Sequence, residues 1–246
     1  MAKFFGKRSE YLVRMAWLSV VFALAYGLVG WWALYLMLMK NRIHLFEPMA
    51  LILIAVIYGP LFWVIHHLYK KMDIQATDFF QGLRGENVVA QELKKLPDAY
   101  SVFADVVIKP EQGNIDFVLV GPTGIFTIEV KSHKGIIGFN GSELTRSDQV
   151  LEKNFLKQSK SQALSLHNFL KEKLGGDIYI KPTIVFSRAR ITFGLKPLEN
   201  TYIIQKQWIQ KLIASHPFYT FPKGRQQIEE LLKTLVVNEQ KPKIML

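Results

Sequence analysis

Hydrophobic residues are distributed unevenly along this chain. From Met15 to Met39 no residue is charged, and a second uncharged run extends from Pro48 to Tyr69. A bilayer-spanning helix needs about 20 mostly apolar residues, so each run is long enough, the first with some tilt. Lys40 and Arg42 close the first run, and Lys70 and Lys71 close the second. Trp17, Trp31, Trp32 and Tyr35 lie toward the ends of the first run, and Trp63 and Tyr69 toward the end of the second. Aromatic rings favour those membrane–water boundaries. A buried helix of a soluble core would carry a polar face at this length. A cleaved leader is the other alternative, since Lys3, Lys7 and Arg8 precede the run and Ala23-Leu24-Ala25 resembles a cleavage site. The run continues past what a leader needs and a second one follows, so two retained anchors are expected, at about 15–39 and 48–69. The link from Lys40 to Glu47 is short and forces a hairpin, with both chain ends on one side. Lys3, Lys7, Arg8, Arg14, Lys70 and Lys71 flank that side, against Lys40 and Arg42 in the link. The positive-inside bias then predicts cytoplasmic termini for an integral protein of the inner or plasma membrane.

Residues 1–71 are thus expected to be the anchor and 72–246 a cytoplasmic domain. The domain's pattern alternates between helical and strand periods. Thr77 to Leu96 reads as a helix capped by Thr77 and ended by Pro97. Ser101 to Ile108, Asn114 to Val120 and Ile125 to Lys131 read as strands, the last two joined by the turn Gly121-Pro122-Thr123-Gly124. Val150 to Leu174 reads as a long helix closed by Gly175-Gly176. Ile178 to Phe186 reads as a strand that Pro182 interrupts or places at an edge. A short strand at Thr201 to Ile204 and helices at Gln207 to Ala214 and Lys223 to Val237 complete a mixed α/β order.

Charge and composition narrow the chemistry. The chain has 246 residues and a formal charge of +11. From Lys70 onward it holds 25 of the 31 Lys and Arg but 18 of the 20 Asp and Glu, an excess of seven cations. That excess favours a polyanion or an anionic membrane surface as partner. The absence of cysteine excludes disulfides and zinc–thiolate sites.

The informative segment is Asn114 to Lys131. Glu129 and Lys131 are two apart on a strand, so both point to one face, while Ile128 and Val130 point to the other. The tight turn folds this strand onto the one carrying Asp116, so Asp116 can approach Glu129. Two converging carboxylates suit a hard divalent cation, Mg²⁺ or Mn²⁺. Such an ion would acidify a water and stabilise charge on a phosphate. Lys131 would position the water or stabilise the phosphate. The competing reading is a half-exposed hairpin whose outer face carries Thr127, Glu129 and Lys131 as solvated residues; spacing alone does not separate the two.

Further segments surround this one in a fixed order: Gly82-Leu83-Arg84-Gly85-Glu86, then Val102-Phe103-Ala104-Asp105-Val106, then Gly113-Asn114-Ile115-Asp116, then Glu129-Val130-Lys131. Together they resemble the nuclease-related (NERD) domain family, itself similar to the PD-(D/E)XK nuclease superfamily, over about residues 82–187. The resemblance implies a restriction-endonuclease-like fold, a central mixed sheet flanked by helices, here preceded by a transmembrane helical hairpin. It implies that Glu86, on the first helix, supports the metal held by Asp116 and Glu129. It also implies a role for Gln158, on the helix after the Glu-Val-Lys strand; Gln162 lies four residues on and shares its face. The expected function is a membrane-anchored, Mg²⁺- or Mn²⁺-dependent nuclease acting on DNA or RNA, with Asp116, Glu129, Lys131, Glu86 and Gln158 as its site. The rival is a catalytically inactive, membrane-tethered module that binds nucleic acid or protein.

Overall fold

The computed structural model describes residues 2–5, 80–109, 113–222 and 224–236, with scattered positions between 21 and 77. The chain forms two compact units, Met1–Arg8 with Gln81–Leu246, and Ser9–Phe80. In the second unit, Val21, Leu24 and Gly27 are helical, as are Trp63, His66, His67 and Lys70. The apolar runs 15–39 and 48–69 lie almost wholly outside the described residues. Among the described residues, no helix is long and apolar enough to cross a membrane.

The first unit is built on one eight-stranded mixed sheet. Strand β1 (Lys3–Phe5) lies parallel to β2 (Ser101–Val106). Strands β2, β3 (Ile115–Gly121) and β4 (Gly124–Phe139) form an antiparallel meander. The chain then makes the small strands β5 (Leu144–Arg146) and β6 (Gln149–Val150) before helix α2 (Phe155–Leu174). Helix α2 carries the chain to β7 (Ile180–Ile191), which pairs parallel with β4 on one side and with β8 (Tyr202–Gln205) on the other. Ahead of the sheet runs helix α1 (residues 80–94). After it come α3 (Ile209–Ala214) and α4 (Arg225–Leu235).

Alternating side chains give the sheet two apolar faces. Phe117, Leu119, Phe126 and Ile128 pack with Val89 and Leu93 of α1 and with Leu212 and Ile213 of α3. Phe103, Val118, Val120 and Ile125 pack with Leu166 and Leu170 of α2 and with Ile228 and Leu232 of α4. This is the helix–sheet–helix layering that the pattern predicts.

Several expected boundaries differ. Thr77 is itself helical and so does not cap the first helix. Strand β4 runs on to Phe139, its pairing with β7 slipping between Lys131 and Lys134, the mark of a bulge. Helix α2 begins at Phe155 rather than at Val150, because the Asn154 side chain accepts from the Lys157 amide and caps it. Pro182 does not end its strand. Pairing with β8 starts one residue later, at Thr183, so at Pro182 that flank of β7 is locally an edge.

Candidate active site

The turn at Gly121–Gly124 brings β3 and β4 into register, with Phe117 opposite Ile128. One step further, Asp116 stands opposite Glu129. On the strand's other side, pairing skips Asp105 between Ala104↔Phe117 and Val106↔Ile115, and Asp105 has φ 52°. The sheet ladder is therefore interrupted directly beside Asp116.

Glu129 is only 5% exposed, and Thr127 beside it on the strand 1%. The solvated-hairpin alternative is thereby overturned. A buried carboxylate must be satisfied from within, and Glu129 is. Its Oε1 accepts from the Lys131 ammonium at 2.6 Å and from Gln158 Nε2 at 2.7 Å. Its Oε2 accepts from Gln162 Nε2 at 2.7 Å. Gln158 Oε1 accepts in turn from Lys131 at 3.3 Å, closing a three-membered ring of contacts. The Lys131 ammonium also sits 4.3 Å from the centroid of the Phe155 ring, in cation–π range.

Helix α2 supplies the amides. Gln158 and Gln162 are one turn apart and face the sheet, so their stripe of α2 is polar where it crosses Glu129 and apolar further on, at Leu166 and Leu170. Gln162 acts beside Gln158 on the same carboxylate. It also donates to the backbone carbonyl of Asn114 at 3.2 Å, which ties α2 to the start of β3.

Asp116 is partly buried and accepts a hydrogen bond from the Val130 amide at 2.7 Å. Its carboxyl is held well above the usual carboxylate range. Burial is the main cause, followed by the negative charges of Glu129 and Glu86; the Val130 amide and Lys131 oppose the rise. The charge of Glu86 thus bears on Asp116 from α1. Gly85 makes that approach possible. A Cβ there would meet Ser187 Oγ at 2.8 Å and the Ser132 Cβ at 3.2 Å, so the helix lies close against β4 and β7 and a larger residue would require those serines to shift. Gly82 has open space around it and carries no such constraint.

His133 follows on β4, its ring 5.3 Å from that of Phe155 and 6.3 Å from that of Phe186. Burial lowers its pKa, and the cations of Arg146 and Lys131 lower it further. The imidazole is thus held neutral, with a buried Nδ1 that has no hydrogen-bond partner among the described residues. Part of the positive charge of α2 is committed within the fold: Lys160 pairs with Glu199 and Lys171 with Asp177.

Residues 81–187 match a family model, that of the nuclease-related domain. No curated protein and no solved structure matches the chain. The matched segment runs from α1 through most of β7 and includes Glu86, Asp116, Glu129, Lys131 and Gln158.

Proposed function

We propose that the nuclease-related domain hydrolyses phosphodiester bonds of nucleic acid with the help of a divalent cation, at the cytoplasmic face of a membrane to which two N-terminal helices hold it. The observation that carries the reading is the buried Glu129–Lys131–Gln158 network beside Asp116, whose carboxyl is raised first by burial and then by the negative charges of Glu129 and Glu86. A carboxyl perturbed by burial together with specific charged neighbours is characteristic of functional sites. The donors are all oxygen, which suits Mg²⁺ or Mn²⁺. Asp116, Glu129 and Glu86 would hold the ion, which supplies Lewis acidity toward a phosphate oxygen and makes a water more acidic.

The chain's own groups do the rest. The Lys131 ammonium is the cation within the site, placed to stabilise negative charge growing on a phosphate. Gln158 fixes both ends of the Lys131–Glu129 pair, and Gln162 fixes the remaining Glu129 oxygen, so neither charged group has to reorganise. Phe155 covers the ammonium and limits the water around it. Nucleic acid as partner accords with the basic excess of the domain.

The anchor reading has its own support. Val21 and Leu24 are helical yet 55% and 64% exposed, apolar surface that a bilayer would cover. The pairing of β1 with β2 supports a hairpin anchor, because it keeps the N-terminus on the side of the domain.

A specific observation favours the non-catalytic rival. Both Glu129 oxygens are engaged by protein donors. Among the described residues, moreover, no three His, Cys, Asp or Glu side chains are grouped to hold a metal. Titrating Mg²⁺ and Mn²⁺ into the full-length chain in detergent, with labelled DNA and RNA, separates the readings. The enzyme cuts, and Glu129→Gln stops cutting while retaining binding. The binding module binds and never cuts.

A further inference from the structure

Strands β4 and β7 continue side by side beyond the bulge at Lys131–Lys134. Contacts fix which β4 residues turn toward α2. Glu129 and Lys131 bond to Gln158, the His133 ring lies against Phe155, and Ile137 packs with Phe155 and Leu156. Alternation then turns Lys134 and Ile136 to the opposite face. In the parallel pairing Lys134 stands beside Arg188, and Ile136 beside Arg190. The Arg188 guanidinium donates to Gln81 Oε1 of α1 at 2.9 Å, which marks this as the α1 side of the sheet. Lys134, Arg188 and Arg190 are all exposed, and no carboxylate among the described residues pairs with them. From Lys131 to Ser142, and from Ile178 to Leu198, the sequence has no acidic residue. Ile136, 50% exposed, lies among these cations. One acid, Asp148 in the β5–β6 turn, shares a groove with Ile136 and leaves the cations in excess.

An exposed cationic face suits a polyanion, and its placement favours a lipid surface over nucleic acid. The patch lies across the sheet from the side chains of Lys131 and Glu129, so a strand held on it would not lead into that site along one face. An apolar side chain among cations gains from the acyl boundary of a bilayer and gains nothing from a phosphate backbone. The second expected span ends at Tyr69, twelve residues before Gln81, a reach of no more than about 43 Å even fully extended. We infer that the face formed by Lys134, Ile136, Arg188 and Arg190 docks on anionic phospholipid headgroups of the membrane that anchors the chain, which turns the α2 side of the sheet away from that membrane. The inference rests on the anchor reading and is independent of catalysis.

The chain has no cysteine, so a single introduced one takes a fluorophore uniquely. The full-length chain is reconstituted in phosphatidylcholine bilayers, with or without phosphatidylserine, that carry a headgroup-linked acceptor dye. Energy transfer is read from Ile136→Cys on the patch and from Ser161→Cys, exposed on α2. Each basic residue near an anionic surface favours docking roughly fivefold, so three favour it on the order of a hundredfold. Phosphatidylserine should raise transfer from Ile136→Cys without raising it from Ser161→Cys. Combining Lys134→Gln, Arg188→Gln and Arg190→Gln should abolish the rise, as should salt at about 1 M, where charges are screened within about 3 Å. No rise, or a rise that survives the triple substitution, overturns the lipid surface and leaves the anchor reading standing. A triple variant that loses oligonucleotide affinity with its energy transfer unchanged reassigns the face to nucleic acid. Release of the chain from membranes by alkaline carbonate overturns the anchor reading and this inference together.

Discussion

Truncating Glu129 is the sharpest perturbation of the site's architecture. In Glu129→Ala, Lys131 keeps its ammonium at a position where its side chain is 15% exposed, and the carboxylate that neutralised it is gone. Leaving a buried charge uncompensated costs about 3–5 kcal/mol. Gln158 and Gln162 lose an acceptor at the same time, and each unsatisfied buried amide adds about 1–3 kcal/mol. The total approaches the whole stability of an ordinary domain, about 5–15 kcal/mol. Lys131→Met should cost less, since Glu129 retains both glutamine donors. The double variant should be more stable than the sum of the two single effects predicts, by about 2–4 kcal/mol, because the unpaired ammonium is removed along with its partner. Thermal unfolding of the four proteins in one detergent, followed by circular dichroism, gives the cycle. Additive effects within about 0.5 kcal/mol would refute the claim that the Lys131–Glu129 contact is a coupled, desolvated pair.

Other expectations follow from the same geometry. Asp116 has a folded pKa above its unfolded value, so the unfolded chain ionises first as pH rises; stability is lost from about pH 4 upward until the folded pKa is passed. Asp116→Asn should therefore raise the melting temperature of the metal-free protein at neutral pH; an unchanged or lower value contradicts the electrostatic reading. His133 and His216 both have pKa values lowered by burial, so they destabilise the fold once pH drops below the unfolded histidine range near 6.5. His133→Leu should flatten the fall in melting temperature between about pH 7 and 5, and an unaltered profile would show that the ring is not buried neutral. Gly85→Ala should push α1 away from β4 and β7 and cost about 1–3 kcal/mol, with Gly82→Ala costing far less; equal costs would mean that α1 does not approach the sheet as described.

Much of this was legible in the residues. The period-two alternation of Ile128, Glu129, Val130 and Lys131 placed the two charged groups on one face, and Gly121-Pro122-Thr123-Gly124 announced the turn that brings Asp116 across from Glu129. What the pattern concealed has physical causes. The β5–β6 hairpin is short, largely polar and exposed at Gln149 and Val150, so it carries no core stripe to read. The start of α2 was blurred because residues 150–154 are not helical yet lack a strong breaker. Pro182 left two readings of β7 open, an interruption or a local edge, and the choice depends on where β8 begins to pair, a fact of tertiary structure. Gln158 and Gln162 look like ordinary surface amides until the buried carboxylate they face is known.

Product release from a labelled nucleic acid would be followed against Mg²⁺ concentration for the full-length chain and for Asp116→Asn, the variant expected to remain folded. Cleavage should rise with Mg²⁺ and vanish in Asp116→Asn while binding persists. Binding without cleavage by the unaltered chain at any Mg²⁺ concentration, or cleavage undiminished in the variant, would contradict it.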